Sequence, residues 1–269
     1  MNWLVKLWHC LPQQARSAIL KVQGNKRVYR WLMFRHADMN DRANGNRSHL
    51  PPAELRYRVG GSADAEAFIK DGKRCAIDIQ SALLQFQFEL RSFTRILDFG
   101  CGCGRTLIHL KSLAPNAQIE GTDIDARAIE WCKKNIDFAK FSLSKELPPL
   151  NYDSNTFDFI YAISVFTHLD ETYLFRWLEE LRRIAKPVAI LLVTVDSSLT
   201  REKAFVFQNT YEEGLFPDWY QNAYHSKEYV FSNFSNYFDV LGYLPRSLND
   251  HQDVVILQKK ISESSPGGA

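Results

Sequence analysis

From residue 95 onward, hydrophobic and polar positions alternate between two periods, one typical of strands and one typical of helices. Short apolar runs predict strands at 96–99, 118–122, 138–143, 157–163 and 188–195. Apolar positions spaced three and four residues apart predict helices at 106–113, 125–135 and 171–185. Two closing strands, at 238–244 and 253–258, have no helix between them. The pattern predicts an α/β fold, with a mostly parallel sheet, helices on both faces and a final antiparallel hairpin.

The first fifty residues predict an N-terminal helical appendage. An amphipathic stripe runs through residues 3–11, and further helical pieces follow as far as residue 36. A polar break over 37–52, ending in two prolines, predicts the boundary to the next domain. The predicted domains are 1–50 for the appendage, 51–261 for the main domain and 262–269 for a disordered tail. Within the main domain, a helical stretch over 64–90 is expected to break at residues 71–72.

Basic charge is concentrated in the appendage, although the whole chain has a net charge of only +2. The first sixty residues hold three acids, Asp38, Asp41 and Glu54, against the basic residues Lys6, Arg16, Lys21, Lys26, Arg27, Arg30, Arg35, Arg42, Arg47, Arg56 and Arg58. Such a segment can meet phosphate, an anionic membrane or an acidic partner, or it can be a solvated face. The stripe at 3–11 has three interpretations: packing on the main domain, dimerisation, or peripheral membrane contact.

Five cysteines, an odd number, show neither a disulfide framework nor the paired spacing of a zinc site. We therefore expect reduced thiols, no metal and a cytoplasmic location. Lys6 and His9 interrupt the one early apolar run, so no secretory signal is predicted. No stretch approaches the roughly 20 apolar residues that a membrane span requires.

A strand, a glycine-rich turn and a helix follow one another at residues 95–106. Asp98 ends the strand, and Gly100, Gly102 and Gly104 come after it at alternate positions. Glycines let the backbone approach a ligand closely, and the helix N-terminus offers unpaired N–H groups. The spacing differs from the G-x-G-x-x-G of dinucleotide-binding folds, which disfavours an NAD-dependent reductase.

A second acid predicts a nucleoside ligand. Asp123 ends the second predicted strand, about 20 residues beyond the glycines, where a carboxylate accepts hydrogen bonds from ribose hydroxyls. Asp125 competes for this role, but it precedes a helix and suits an N-cap better.

Together these features resemble class I S-adenosylmethionine-dependent methyltransferases, in particular the bacterial small-molecule enzymes of types 11 and 12. The resemblance rests on Asp98-x-Gly100-x-Gly102 and on the segments 147–150, 157–161, 165–169 and 177–187. It implies a Rossmann-like fold with a seven-stranded sheet, and S-adenosylmethionine as cofactor. By this resemblance the cofactor is bound by Asp98, Gly100, Cys101, Gly102 and Asp123, with Ile124 on the adenine and Ala162 and Ser164 on the methionine side. The contact to the adenine amino group falls near 142–146 and has no single candidate.

One departure from the family pattern lies before the fifth strand. Such enzymes usually carry Lys-Pro-Gly-Gly there, whereas this chain has Lys186-Pro187-Val188-Ala189. The turn is expected to lie away from the cofactor, so the change concerns loop geometry.

The predicted reaction is methyl transfer to a hydroxyl, or secondarily an amine, of a small molecule or glycan. His168 follows the fourth strand and is the first candidate base, and His225 is the second, because imidazole titrates near neutrality. An aromatic-rich insertion over 197–235 is either a lid over the acceptor or ordinary core. Nucleic acid is disfavoured as an acceptor, since the basic residues lie before the domain. The alternative is a catalytically weak protein that uses its basic, Trp-rich helices to bind a partner or membrane.

Overall fold

The computed structural model describes residues 26–43, 50–208 and 221–261. The amphipathic stripe at 3–11 and the predicted tail at 262–269 lie outside these ranges, as does 209–220 of the insertion. The chain divides into two compact units, one ending at Ala65 and one beginning at Glu66. The predicted domain boundary near residue 50 stays a prediction.

The first unit contains helices α1 (Lys26–Ala43) and α2 (Ala53–Gly60). The Oδ1 atom of Asp38 accepts a hydrogen bond from the amide of Ala53, at 2.8 Å. Asp41 forms a 2.6 Å ion pair with Arg56, which is buried and also donates to two backbone carbonyls. The prediction of a polar break at 37–52 was therefore wrong for its first part, because the helix continues to Ala43. Both acids of α1 bind the chain that follows.

The second unit is organised around a sheet whose seven described strands run in the order β3-β2-β1-β4-β5-β9-β8. In chain order these strands are β1 (Arg95–Phe99), β2 (Gln118–Asp123), β3 (Ala139–Leu143), β4 (Phe157–Ala162), β5 (Ala185–Val195), β8 (Phe238–Leu248) and β9 (Gln252–Lys259). Strands β1 to β5 pair in parallel, and β9 is antiparallel to both β5 and β8. A separate antiparallel ribbon joins β6 (Phe205–Gln208) to β7 (Asn222–His225). The predicted fold class is confirmed.

Helices cover both faces of this sheet. They are α3 (Ala65–Leu84), α4 (Leu107–Leu113), α5 (Ala126–Asn135), α6 (Glu171–Ile184) and α7 (Lys227–Phe234). Alternate strand residues enter two separate hydrophobic cores, as the two-residue period of a strand requires. Ile96 packs with residues of α3, α4 and α5, whereas its neighbour Leu97 packs with residues of α6 and α7. None of the described helices is both long and apolar enough to cross a membrane.

Helix α3 passes without interruption through the expected break at residues 71–72. A Cβ atom at Gly72 would lie 2.1 Å from the backbone oxygen of Arg105, at the end of the glycine-rich turn. The glycine is therefore present because two backbones approach closely, and the prediction of a helix break was wrong.

Val188 lies in the unusual turn at the start of β5 with a φ of 57°, in the left-handed region that β-branched residues avoid. We expect Val188→Gly to raise the free energy of unfolding by about 1 kcal/mol, because glycine removes roughly 1–2 kcal/mol of strain and loses part of that in unfolded-chain entropy. Thermal unfolding would measure the change. Val206→Gly, in the extended strand β6, should lower stability instead. A lower melting temperature for Val188→Gly would contradict the assignment of strain.

Candidate active site

The predicted cofactor residues converge at the carboxyl ends of three neighbouring strands. Asp98 lies near the end of β1, Asp123 ends β2 and Ala162 ends β4, and β1 lies between the other two. Ligands of open α/β sheets bind at this edge, where the strand order changes direction.

The glycine-rich turn after β1 is hydrogen-bonded to the end of β2. The amides of Gly100 and Cys101 both donate to the carbonyl oxygen of Thr122, at 2.8 and 3.1 Å. The amide of Gly102 donates to Oδ2 of Asp123, at 2.7 Å. Gly100, Gly102 and Gly104 have φ values of 82°, 53° and 77°, which residues other than glycine rarely adopt. The turn thus has a defined shape that depends on Asp123.

Asp123 and Asp125 have different roles. Asp125 accepts hydrogen bonds from the amides of Arg127 and Ala128, at 3.1 and 3.4 Å, and begins helix α5. Its predicted role as an N-cap is confirmed. Asp123 accepts from the amides of Gly102 and Asp125, one on each carboxylate oxygen. Its carboxylate is therefore held in a fixed orientation at the edge of the sheet.

Asp98 is a buried acid, and burial makes its negative charge costly. Its side chain is 3% exposed and accepts a 2.6 Å hydrogen bond from the hydroxyl of Tyr161. Burial raises the pKa of Asp98 to about 7; the Tyr161 bond opposes this rise, and the charge of Asp123 adds to it. Sequence reasoning missed Tyr161, although it is the register partner of Asp98 on β4 and lies on the same face of the sheet.

The residues predicted to line the adenine and methionine parts follow β2 and β4. Ile124 is 39% exposed directly after Asp123. Ser164 has a φ of 56°, and its amide donates to Oγ1 of Thr194 while its hydroxyl donates to Oε1 of Gln252. These two partners were not predicted, because they lie 30 and 88 residues away in sequence on β5 and β9 and no local pattern indicates them.

The segment 142–146, expected near the adenine amino group, is partly engaged with the protein itself. The hydroxyl of Ser142 lies 3.0 Å from that of Tyr152, and the carbonyl of Glu146 accepts from the indole of Trp177. The amide of Ser144 donates to the carbonyl of Asp123, which places Ser144 next to this acid.

His168 lies on the same rim, in the 3-10 turn Phe166–His168 that follows β4. Its Nδ1 is 2.7 Å from the carbonyl oxygen of Gln221. Because a carbonyl only accepts hydrogen bonds, we assign the ring hydrogen to Nδ1, which makes Nε2 the basic nitrogen. Burial lowers the pKa of His168, although the bond to Gln221 opposes this effect, so the neutral ring is favoured.

His225, the second candidate base, is inside an aromatic cluster. Its ring is fully buried, 5.1 Å from the ring of Phe205 and 5.6 Å from that of Tyr229. Neither ring nitrogen has a hydrogen-bond partner among the described residues, and burial lowers the pKa of His225 to about 3. The catalytic role of His225 stays a prediction, and the geometry favours His168.

The described aromatic residues of the insertion divide between the two predicted roles. Tyr229 and Phe234 are buried and belong to the core beside α6, whereas Phe207 and Phe231 are 38% and 40% exposed. The insertion also reaches the rim, since Gln221, just before β7, is the partner of His168. Part of it is therefore core, and part lies beside the candidate base.

Comparison with known proteins agrees with this geometry. Residues 96–188 match a family model described as a methyltransferase domain. An uncharacterised protein of Rickettsia prowazekii is 30% identical over 107 residues, which are 38% of this chain and 43% of that protein. The chain thus spans less than half the length of this curated relative.

Solved structures share the fold at low sequence identity. The PH0226 protein of Pyrococcus horikoshii has a TM-score of 0.51 at 18% identity, over 68% of this chain and 89% of that one. An S-adenosylmethionine-dependent methyltransferase of Mesorhizobium loti scores 0.50 at 10% identity, over 68% and 98%. A chain from the complex of the Haloferax volcanii Trm112 methyltransferase activator with a methyltransferase scores 0.51 at 15%, over 71% and 92%.

The structural likeness shows the fold, and the family model matches residues 96–188 within it. S-adenosylmethionine is the cofactor expected of such a domain. The chain thus has the fold of a solved S-adenosylmethionine-dependent methyltransferase, and its segment 96–188 is similar to a methyltransferase domain.

Proposed function

We propose that the protein transfers a methyl group from S-adenosylmethionine to a hydroxyl of a small molecule or glycan, with an amine as the second choice of acceptor. The observation that carries the proposal is the convergence of Asp98, the fastened glycine turn and Asp123 at one sheet edge, inside the segment that matches a methyltransferase domain. The described cysteines are buried thiols that form no disulfide with one another, which supports a reducing, cytoplasmic location.

The residues at the edge fit the chemical groups of this cofactor. The carboxylate of Asp98 suits an ammonium group, whose positive charge would add to that of Arg105 in favouring the ionised form of this buried acid. The carboxylate of Asp123, which the amides of Gly102 and Asp125 orient at the carboxyl end of β2, suits hydrogen bonds from ribose hydroxyls. The exposed apolar side chain of Ile124 suits an adenine ring.

His168 is the group that we propose accepts the proton of the acceptor hydroxyl. S-adenosylmethionine, when bound, supplies a methyl group that is already activated by a positive sulfur. The chain must then orient the acceptor and remove its proton, and a positioned base typically contributes 10²–10⁴-fold. Nε2 of His168 takes the proton, while the bond from Nδ1 to Gln221 holds the ring and favours the imidazolium that forms.

The orientation of this base depends on the insertion. Gln221 contributes its backbone carbonyl just before β7, so the segment expected to cover the acceptor also holds His168. This arrangement supports an acceptor that contacts both elements. The competing proposal, a binding protein without transfer activity, would have no need of the oriented imidazole.

The first expected result concerns cofactor binding and transfer. At about 100 times Kd, S-adenosylmethionine should raise the free energy of unfolding by roughly 2.7 kcal/mol.

Methyl transfer is measured with methyl-labelled cofactor and fractionated small-molecule and glycan extracts. His168→Ala should lower this transfer by about 10²–10⁴-fold, while the cofactor-induced thermal shift is kept. Transfer by the wild type should rise with pH through the lowered pKa of His168, because the neutral ring is the base.

The matched control is His225→Phe, which suits the aromatic cluster and should keep the activity. Loss of transfer in His225→Phe with full activity in His168→Ala would assign the base to His225. The absence of any thermal shift with the cofactor would overturn the proposed function.

The second expected result tests the close approach at the glycine turn. A Cβ atom at Gly100 would lie 2.2 Å from Cγ2 of Val165, at a φ of 82°. Gly100→Ala should therefore abolish the cofactor-induced thermal shift, and adding Val165→Ala should restore part of it. Gly61→Ala is the matched control. Gly61 also has a positive φ, 67°, but a Cβ atom there would meet no neighbouring group within 4 Å, so only about 1–2 kcal/mol of backbone strain is expected. Unchanged cofactor binding by Gly100→Ala would place the ligand elsewhere.

The third expected result is a pH dependence set by Asp98. Between about pH 4 and 7 the unfolded chain releases this proton while the folded chain keeps it, so the Asp98 contribution to the free energy of unfolding falls as the pH rises. Cofactor binding requires the carboxylate, so the affinity should rise about eightfold from about pH 6 to about pH 7.5. Calorimetry in buffers of different ionisation enthalpy should also detect proton release at the lower pH.

Asp98→Asn is the control, since it keeps the shape and the Tyr161 partner but cannot ionise. This variant should bind weakly with little pH dependence over the same range. A wild-type affinity that does not change with pH would exclude Asp98 as the group that meets the ammonium.

A further inference from the structure

Helix α1 exposes apolar and basic side chains together on one side. We name this the outer face of α1 and define it by Trp31, Leu32, Arg35, Met39 and Arg42. Its three apolar members are 53%, 44% and 60% exposed. Their spacing follows the helical period, which places them along one side of the helix. Exposed apolar side chains grouped in this way indicate an interaction surface.

Both acids of α1 lie on a different side of the helix, where they bind residues of α2. Asp38 accepts from the amide of Ala53, and Asp41 pairs with Arg56. On the same side, the ring of Phe34 lies 5.5 Å from that of Tyr57. Among the described residues of α1, the acids thus face α2, and the outer face consists of apolar and basic side chains only.

The preceding chain has the same sign of charge. Residues 1–37 contain neither Asp nor Glu, and their basic residues are Lys6, Arg16, Lys21, Lys26, Arg27, Arg30 and Arg35. Neither this segment nor the outer face of a second copy is therefore a charge complement for the outer face of α1, because either pairing would bring like charges together. The complement must come from an anionic partner.

Apolar side chains between the charges favour a lipid surface over a nucleic acid. Phosphates alone would satisfy Arg35 and Arg42, but Trp31, Leu32 and Met39 would remain in water. At a bilayer interface the apolar side chains enter the acyl boundary, while basic groups meet the anionic headgroups. The guanidinium of Arg35 lies 4.8 Å from the ring centre of Trp31, so an aromatic anchor and a phosphate-binding group are adjacent.

We propose that the outer face of α1 docks the protein on anionic lipid bilayers, lying in the interface without crossing it. This surface is separate from the stripe at 3–11 and does not depend on the proposed transfer reaction.

Co-sedimentation of the full chain with vesicles tests the proposal. The protein should bind phosphatidylcholine vesicles containing about one third phosphatidylglycerol and leave pure phosphatidylcholine vesicles largely unbound. Arg35→Gln with Arg42→Gln should lower the partition coefficient by about thirtyfold, since each basic residue near an anionic surface contributes about fivefold. Trp31→Ser with Leu32→Ser should lower it at least about tenfold through lost apolar contact.

The matched control replaces two apolar residues of similar exposure in the second unit. Ile77→Ser with Leu84→Ser, both on α3 and 49% and 50% exposed, should leave vesicle binding unchanged. Thermal unfolding of each variant checks that the fold is kept, which is expected because all four positions on α1 are exposed.

Several results would overturn the proposal. Equal binding to neutral vesicles would remove the electrostatic argument, and full binding by both α1 variants would move the contact to another part of the chain. A dimer that Trp31→Ser with Leu32→Ser dissociates would show that a second copy covers this face. Binding of duplex DNA or RNA that depends on Arg35 and Arg42, in a protein that does not bind vesicles, would assign the face to nucleic acid.

Discussion

The hydrogen bond from the amide of Gly102 to the carboxylate of Asp123 is the constraint on which the candidate site depends. It joins the irregular turn after β1 to the end of β2, and the bonds from Gly100 and Cys101 to Thr122 strengthen the same junction. A turn that is already ordered does not have to be ordered by its ligand, which lowers the entropic cost of binding. Asp123, the acid expected to hold the ribose, thus also fixes the shape of the turn that the proposed cofactor would contact.

Burial shifts the pKa of the acid Asp98 and the pKa values of the two histidines in opposite directions. It raises the pKa of Asp98 and lowers the pKa values of His168 and His225, so each group is shifted toward its neutral form. For the histidines this is compatible with a base or a core position. For Asp98 it is a cost that the hydrogen bond from Tyr161 and the charge of Arg105 partly offset, and the ammonium group of the proposed cofactor would offset it further.

The fold and the positions of Asp98 and Asp123 at the carboxyl ends of neighbouring strands were predictable, because their signals are local. Strand and helix periods give the sheet, and the N-cap at Asp125 follows from one residue and the helix after it. The contacts of Ser164 with Thr194 and Gln252 were not predictable, because they join strands that are distant in sequence. Nor was the length of α1, since Asp38 and Asp41 read as a polar break until their partners on the following chain are known.

The contact of Gly72 with Arg105 has a consequence for building chimeric proteins. The glycine turn is supported from outside the segment that matches the methyltransferase domain, because α3 lies against the backbone of residue 105 with no space for a side chain at residue 72. A graft of residues 96–188 into a related scaffold would keep every acid and glycine of the turn. It would still fail to reproduce the turn unless the recipient helix carried glycine at the facing position, so the smallest transferable unit begins with α3.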